Sequence, residues 1–342
     1  MQQSELDTFS RQWLPEIERE MSHWVHPADP ALATHYGMMR YHLGWADEQF
    51  RAQTCPAGKR LRPLLCLLAC AEVGGDPCQA LPAAAAIELF HNFSLIHDDI
   101  EDGDECRRHR PTLWKLWGVP QALNAGDGVT MLAFAALQRL QHAVPAESTL
   151  AALSLFTQAA IRLTEGQHLD LSFEARSDVT VAEYLHMIEG KTAALIGTSV
   201  ALGALVGGAT QEQVACLQQF GEHLGLAFQM RDDLLGIWGD PAQTGKAAGN
   251  DLLRRKKSLP ILHALQHEQV GAQLAAYFAH EFGPAQLPAA LALLEQSGAC
   301  HVAETHLRRQ HGASLAALRA ALGPTPGSRL GALAESLLLR QT

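Results

Sequence analysis

Aromatic residues are scarce in this 342-residue chain, 6% in all, and Val and Ile are modest beside abundant Ala and Leu. That mix lacks the β-branched and ring-bearing side chains that fill sheets, and it favours helices. No stretch alternates clearly enough to read as a strand. Also missing is any Cys-x-x-Cys pair: the seven cysteines stand at 55, 66, 70, 78, 106, 216 and 300. An odd count without paired spacing argues against a disulfide framework and points to a reduced, cytoplasmic protein. Cys66 and Cys70 share helical spacing and read as core. Seventeen histidines form no His-Glu-x-x-His, so zinc hydrolysis has no motif behind it. A formal net charge of −10 argues against nucleic acid as a partner. The first residues carry Glu5 and Asp7 and no apolar run of the secretory type. The one uncharged stretch near spanning length, residues 192–211, holds Thr192, Thr198, Ser199, Thr210 and several glycines. It reads as a buried helix, not a transmembrane segment.

What the chain does have is two aspartate clusters. LIHDDIEDGDECRRHRPT carries Asp98, Asp99 and Asp102, and FQMRDDLLGIWGD carries Asp232 and Asp233. Each follows apolar, helix-like sequence and each has basic residues downstream. Residues four apart share a helix face, so Asp98 and Asp102 project together while Asp99 is offset. Crowded carboxylates need cations, and oxygen-only ligands suit Mg²⁺ bound jointly by carboxylates and substrate phosphates. The basic residues cluster at Lys59, Arg60 and Arg62, at Arg107, Arg108 and Arg110, and at 254–257. Local cations in an acidic protein fit a small anionic ligand such as a diphosphate.

Periodicity predicts helices over 1–27, 31–53, about 60–72, 82–102, 120–142, 147–174, 180–207, 211–238 and 251–267, with three or so more beyond 268. Residues 103–112 and 239–250 read as loops. The expectation is an all-α fold: one single-domain antiparallel helix bundle, residues 1–342, with its site in the core between facing helices.

At these residues the chain resembles the trans-isoprenyl diphosphate synthases, the polyprenyl synthetase family. The resemblance spans roughly residues 35 to 265 and keeps the family's motif order: GKRLRP at 58–63, HNFSLIHDDIED at 91–102, RRHRPT at 107–112, EGQHLDL at 165–171, KTA at 191–193, FQMRDD at 228–233, TGK at 244–246, and GND followed by KKSLP up to Pro260. One DDxxD alone is weak, because terpene cyclases share it; the ordered set is specific.

The resemblance implies a bundle around a deep central cavity, usually in a homodimer, that elongates an allylic diphosphate with isopentenyl diphosphate. It implies three Mg²⁺ ions, held by Asp98 and Asp102 on one wall and Asp232 opposite, with Asp99 and Asp233 in the same metal group. Arg107, Lys191, Lys246 and Lys256 match cations near the allylic diphosphate. Thr192 and Gln229 match oxygens facing the carbocation. Lys59, Arg62, His91 and Arg108 match the isopentenyl diphosphate pocket. Arg60 and Arg110 read as surface or structural groups, His97 as orienting Asp98 or capping local structure, and Asp127 as a buried helix cap. Gln167 and Asp170 are equally readable as supporting partners of the metals or lysines and as ordinary structural residues.

Two departures stand out: Gly236 where many members have a third aspartate, and His109 where they have glycine. Asp240 is a weak substitute for the former. Product length in the family is set near the residues four and five before the first motif, here Ser94 and Phe93. Phe93 lies about 7–8 Å deeper along the helix than Asp98. An aromatic there resembles geranylgeranyl synthases, which ranks twenty carbons first, fifteen second and longer chains third. A class I terpene cyclase and a non-catalytic partner subunit are the rival readings.

Overall fold

The computed structural model describes residues 2–55, 58–240, 249–279, 282–324 and 327–338. The chain forms two compact units: Met1–Phe156 with Ser199–Val214, and Thr157–Thr198 with Ala215–Thr342. The expected all-α class is what is found. The only strands among the described residues are Cys106–Arg107 and Arg110–Pro111, paired antiparallel.

The first unit holds α1 (Gln2–Trp24), α2 (Ala33–His42), α3 (Leu61–Glu72), α4 (Pro77–Glu101), α5 (Leu113–Trp117) and α6 (Val119–Gln138). Helix α1 forms because Leu6, Phe9, Trp13, Ile17 and Met21 recur at helical spacing, and all five are buried. Helix α4 starts at Asp76, whose side chain accepts from the Cys78 N–H at 3.0 Å. Its Ala83–Ala86 run is fully buried, and small side chains let it pack closely on α6, α3 and α1. That packing fixes the α4 C-terminus, where the first acidic cluster lies.

The second unit holds α8 (Val181–Ile188), α11 (Asn250–Leu253), α12 (Leu259–Gln266), α13 (Gly271–Ala279), α14 (Leu287–Gln296), α15 (Ala299–Leu322) and α16 (Arg329–Leu338). Three helices run from one unit into the other: α7 (Ala146–Glu174), α9 (Ala194–Val206) and α10 (Gln211–Trp238). Phe173, Tyr184, Met187, Met230, Leu234 and Leu262 form a buried cluster around the second acidic site.

The structure departs from the predicted elements in several places: α4 begins at Pro77, five residues before the helix expected from 82, and the short helix α5 was not expected. The helix expected over 31–53 stops at His42: Gly44 takes φ +85° and Asp47 closes a turn by accepting from the N–H groups of Gln49 and Arg51, each at 2.9 Å. The helix expected over 180–207 is broken by a π-helical turn at Glu189–Ala193. The stretch 251–267 is two short helices parted by Arg255 at φ +53°. Residues 103–112 contain the hairpin. No helix among the described residues is long and apolar enough to cross a membrane.

Candidate active site

Asp98 and Asp102 occupy the last turn of α4. Asp102 caps the helix, its N–H donating to the Asp98 carbonyl at 2.9 Å, and its side chain is exposed. Asp98 is partly open. Asp99 turns the other way and is 2% exposed. Arg107 Nε donates to Asp99 Oδ1 at 2.6 Å and Arg107 Nη2 to Asp98 Oδ2 at 3.4 Å. Burial pushes the Asp99 carboxyl up to about 6, even against the pull of Arg107. The motif groups Asp99 with the metal ligands; its closed setting suits the task of holding Arg107 instead.

Arg107 arrives on the hairpin, whose turn residues Arg108 and His109 both have positive φ, +51° and +62°. Two such residues are what the mirror-image hairpin turn requires, and glycine is the usual occupant. His109 therefore sits where the missing glycine would relieve strain. Arg110 holds the hairpin down: it donates to the carbonyls of Tyr41 at 3.0 Å and Ala46 at 2.7 Å, with its guanidinium 3.8 Å over the Tyr41 ring. Arg110 is structural.

Arg60 is structural too but not a surface group. It is 3% exposed and donates to Glu88 at 2.8 Å and Glu18 at 2.7 Å. An ion network this buried contributes placement more than net stability. It sets the start of α3, and with it Lys59, which is exposed, and Arg62. Arg62 Nη1 is 3.2 Å from His91 Nε2. Burial first, then Arg62, Arg108 and Arg107, hold His91 well below the usual histidine range, so it is neutral. Arg108 Nη2 lies 3.2 Å from where a Cβ on Gly58 would stand, which brings the two basic segments together.

His97 does not face Asp98. Its Nε2 lies 3.4 Å from the Leu123 carbonyl and 3.7 Å from Asp127 on α6. Asp127 is exposed and mid-helix, so it caps nothing. On the same face of α4, Phe93 packs between Phe90 and His97, each ring centroid 4.9 Å away, tilted to the first and edge-on to the second. The Ser94 hydroxyl donates to the His91 carbonyl at 2.8 Å.

The second unit repeats the pattern. Asp232 on α10 is exposed and Asp233 is fully buried. Asp233 accepts from the Tyr184 hydroxyl, Gln229 Nε2 at 3.2 Å, Lys256 Nζ at 3.2 Å and the Leu259 N–H at 3.4 Å. A carboxylate so engaged is held in place from four sides. The Thr192 hydroxyl donates to Gln229 Oε1 at 2.9 Å. Lys191 Nζ donates to Asp170 Oδ2 at 2.5 Å. That pairing depends on Gly166 of α7 and Gly190 of the π turn: a Cβ on either would collide with backbone of the other segment. Tyr184 is not singled out by the sequence, since it lies in no acidic or basic run, and Asp251 stands there only within the GND motif, without a role. Lys246 lies outside the described residues, Asp240 is exposed, and Asp170 proves to partner a lysine.

Among the described residues no group of three or more His, Cys, Asp or Glu side chains could hold a metal ion unaided. The exposed carboxylates are nevertheless oxygen donors beside fixed cations, which fits Mg²⁺ taken together with substrate phosphates.

The fold is all-α, and each of the two units sets a buried aspartate against a cation next to an outward aspartate. Residues 44–293 match the polyprenyl synthetase family. A (2E,6E)-farnesyl diphosphate synthase of Mycobacterium tuberculosis is 42% identical over 89% of this chain and 86% of that protein. A geranylgeranyl diphosphate synthase of the same organism is 43% identical over 82% and 80%. The crystal structure of geranylgeranyl pyrophosphate synthetase from Pyrococcus horikoshii superposes with a TM-score of 0.89 at 32% identity, covering 100% of both chains. The chain belongs to the polyprenyl synthetase family, the trans-isoprenyl diphosphate synthases.

Proposed function

We propose that the chain is a Mg²⁺-dependent prenyltransferase that joins isopentenyl diphosphate head to tail with an allylic diphosphate, giving mainly geranylgeranyl diphosphate, and that both units act as one catalytic domain. The observation that carries this reading is the repeated aspartate pair, with its second member buried against a cation in each unit. Asp98, Asp102 and Asp232 are assigned to three Mg²⁺ ions on the allylic diphosphate. When bound, the metal stabilises the negative charge that develops on the leaving group. Arg107, Lys191 and Lys246 add positive charge there, with Lys256 beside them. Asp99, Asp170 and Asp233 position those cations. Lys59, Arg62 and Arg108 hold the second diphosphate, with neutral His91 orienting Arg62. The Thr192 hydroxyl and the Gln229 amide oxygen turn lone pairs toward the allylic cation, and the departing diphosphate takes the proton.

The named relatives include both farnesyl and geranylgeranyl synthases at nearly equal identity, so the product assignment rests on Phe93 as the tunnel floor. Phe93→Ala should lengthen the product and Ser94→Phe shorten it; an unchanged product distribution in both variants places the floor elsewhere. A homodimer is favoured by the exposed apolar side chains Leu123, Met131 and Leu150, at 40%, 63% and 67% exposure. A reducing, cytoplasmic setting fits its unpaired cysteines.

The deciding experiment gives the purified chain Mg²⁺, isopentenyl diphosphate and dimethylallyl, geranyl or farnesyl diphosphate, with chromatography of dephosphorylated products. A C20 alcohol is expected. A C15 product moves the assignment to farnesyl diphosphate, cyclic hydrocarbon made without isopentenyl diphosphate indicates a cyclase, and no product at all favours a partner subunit.

A further inference from the structure

Arg60, just before α3, has φ +47° and ψ +42°, a left-handed conformation that a residue with a side chain rarely adopts. Such a backbone persists only where its surroundings over-determine it, and here they do. Arg60 Nε and Nη2 fork onto Glu18 of α1 at 2.7 and 3.4 Å. Nη1 donates to Glu88 of α4 at 2.8 Å, and Nη2 reaches the Leu43 carbonyl at 3.4 Å. Asn92 Nδ2 steadies Glu88 Oε1 at 3.2 Å. Glu18 has a second donor, Trp45 Nε1, at 2.7 Å from Oε2. One carboxylate, 42 residues before Arg60 in the chain, therefore holds both Trp45 and Arg60, which flank the segment that carries Lys59. Two residues beyond Arg60, Arg62 meets His91, three residues past Glu88 on α4. The left-handed residue thus stands between two cations of the basic pocket.

We infer that Glu18 of α1 is a positioning residue for the isopentenyl diphosphate pocket: by clamping Arg60 to Trp45 it fixes the left-handed turn from which Lys59 and Arg62 reach the diphosphate. This rests on the assignment of Lys59 and Arg62 to that substrate. Glu18 touches no substrate itself. A merely stabilising Glu18 would lower the melting temperature when replaced and leave substrate affinities alone. Glu20, two residues along α1, is the internal comparison. It accepts from Arg139 Nη1 at 2.7 and 2.9 Å and so secures the same helix by a different ion pair.

The test uses the full chain and the variants Glu18→Gln, Trp45→Phe and Glu20→Gln. The readouts are the Kd of isopentenyl diphosphate by calorimetry, the KM of each substrate, kcat and the melting temperature. A displacement of about 1 Å in a well-oriented site costs about a hundredfold; with Glu88 still holding Arg60, Glu18→Gln should weaken isopentenyl diphosphate about tenfold in Kd and KM, with the allylic KM and kcat within about twofold of wild type. Trp45→Phe keeps the pair between Glu18 and Arg60 and should move the same constant in the same direction by a smaller factor. Glu20→Gln should lower the melting temperature and leave both substrate constants as they are. The assignment is overturned by a wild-type isopentenyl diphosphate Kd in Glu18→Gln, by an equal weakening in Glu20→Gln, or by equal rises in both KM values. Should Glu18→Gln not fold, Trp45→Phe decides, and an unchanged Kd there overturns the assignment. A wild-type chain that does not bind isopentenyl diphosphate fails the pocket assignment first; wild-type binding kept by Glu18→Gln removes only the role given to Glu18.

Discussion

The two aspartate pairs meet one requirement with unequal support. On α4, buried Asp99 relies on a single guanidinium, Arg107, carried by a hairpin whose turn is strained at Arg108 and His109. On α10, buried Asp233 collects a phenol, an amide, an ammonium and a backbone N–H. The α4 pair also stands at a helix C-terminus, where the helix dipole disfavours negative charge. Burial, more than Arg107 can offset, raises the Asp99 carboxyl to about 6. The difference teaches that an Asp-Asp dipeptide is not two equal ligands. Whichever member finds a buried partner becomes an anchor, and its neighbour is left to work at the surface.

The comparison breaks most sharply at the outward members. Asp98→Ala or Asp232→Ala should each lower turnover by about a thousandfold or more, as expected when charge stabilisation of the leaving group is lost, with folding intact by circular dichroism. Near-normal turnover in Asp232→Ala would mean that only one acidic face takes metal.

The buried members should separate next, by stability. Asp233→Asn deprives the Tyr184 hydroxyl, Lys256 and the Leu259 N–H of a buried carboxylate and should cost about 3 kcal/mol. Asp99→Asn should cost about 1 kcal/mol, because the Asp99 charge is already disfavoured by burial. Urea unfolding of both variants measures this, and equal losses would erase the asymmetry.

Acid should reveal the basic pocket beside the weaker pair. His91 and His42 both lie well below 6.5 when folded, because of burial and the surrounding arginines. Below about pH 6.5 the unfolded chain binds protons that the native state refuses, so stability falls as pH drops through that value. Asp99 acts in the opposite sense: its raised value makes the folded state bind a proton earlier, adding stability as pH falls from about 6 toward 3.8. His91→Asn should therefore lose less stability between neutral pH and about pH 5.5 than the wild type does. A loss of the same size in both would show that His91 is not among the groups responsible.

The smallest effect is expected at the strained turn. His109→Gly should gain roughly 0.5–1 kcal/mol, the relief of left-handed strain less the added freedom of glycine when unfolded. A lower melting temperature would show that the histidine side chain contributes something beyond the turn.

Much of this was legible in the chain because its signals are local. Apolar spacing in α1 and the composition marked the helices, and the i, i+4 spacing of Asp98 and Asp102 put them on one face. Gly74 to Pro77 marked the turn before α4, although the helix begins at Pro77 and not at Pro82 as its periodicity suggested. The misreadings have local causes as well. Periodicity ran through Gly44 and Asp47, which end α2 by turn geometry, and through the π turn at Glu189–Ala193, which no period of 3.6 describes.

The sequence by itself determined the helical class, the family and the supply of carboxylates and cations, because periodicity and motif order are properties of neighbours along the chain. Only the tertiary structure decided which aspartate of each pair is buried, that Tyr184 anchors Asp233 from 49 residues away, and that a glycine crossing brings Lys191 to Asp170. Those are choices of partner across long stretches of chain. Burial makes them, since a charge removed from water must find its counterpart wherever packing has put one.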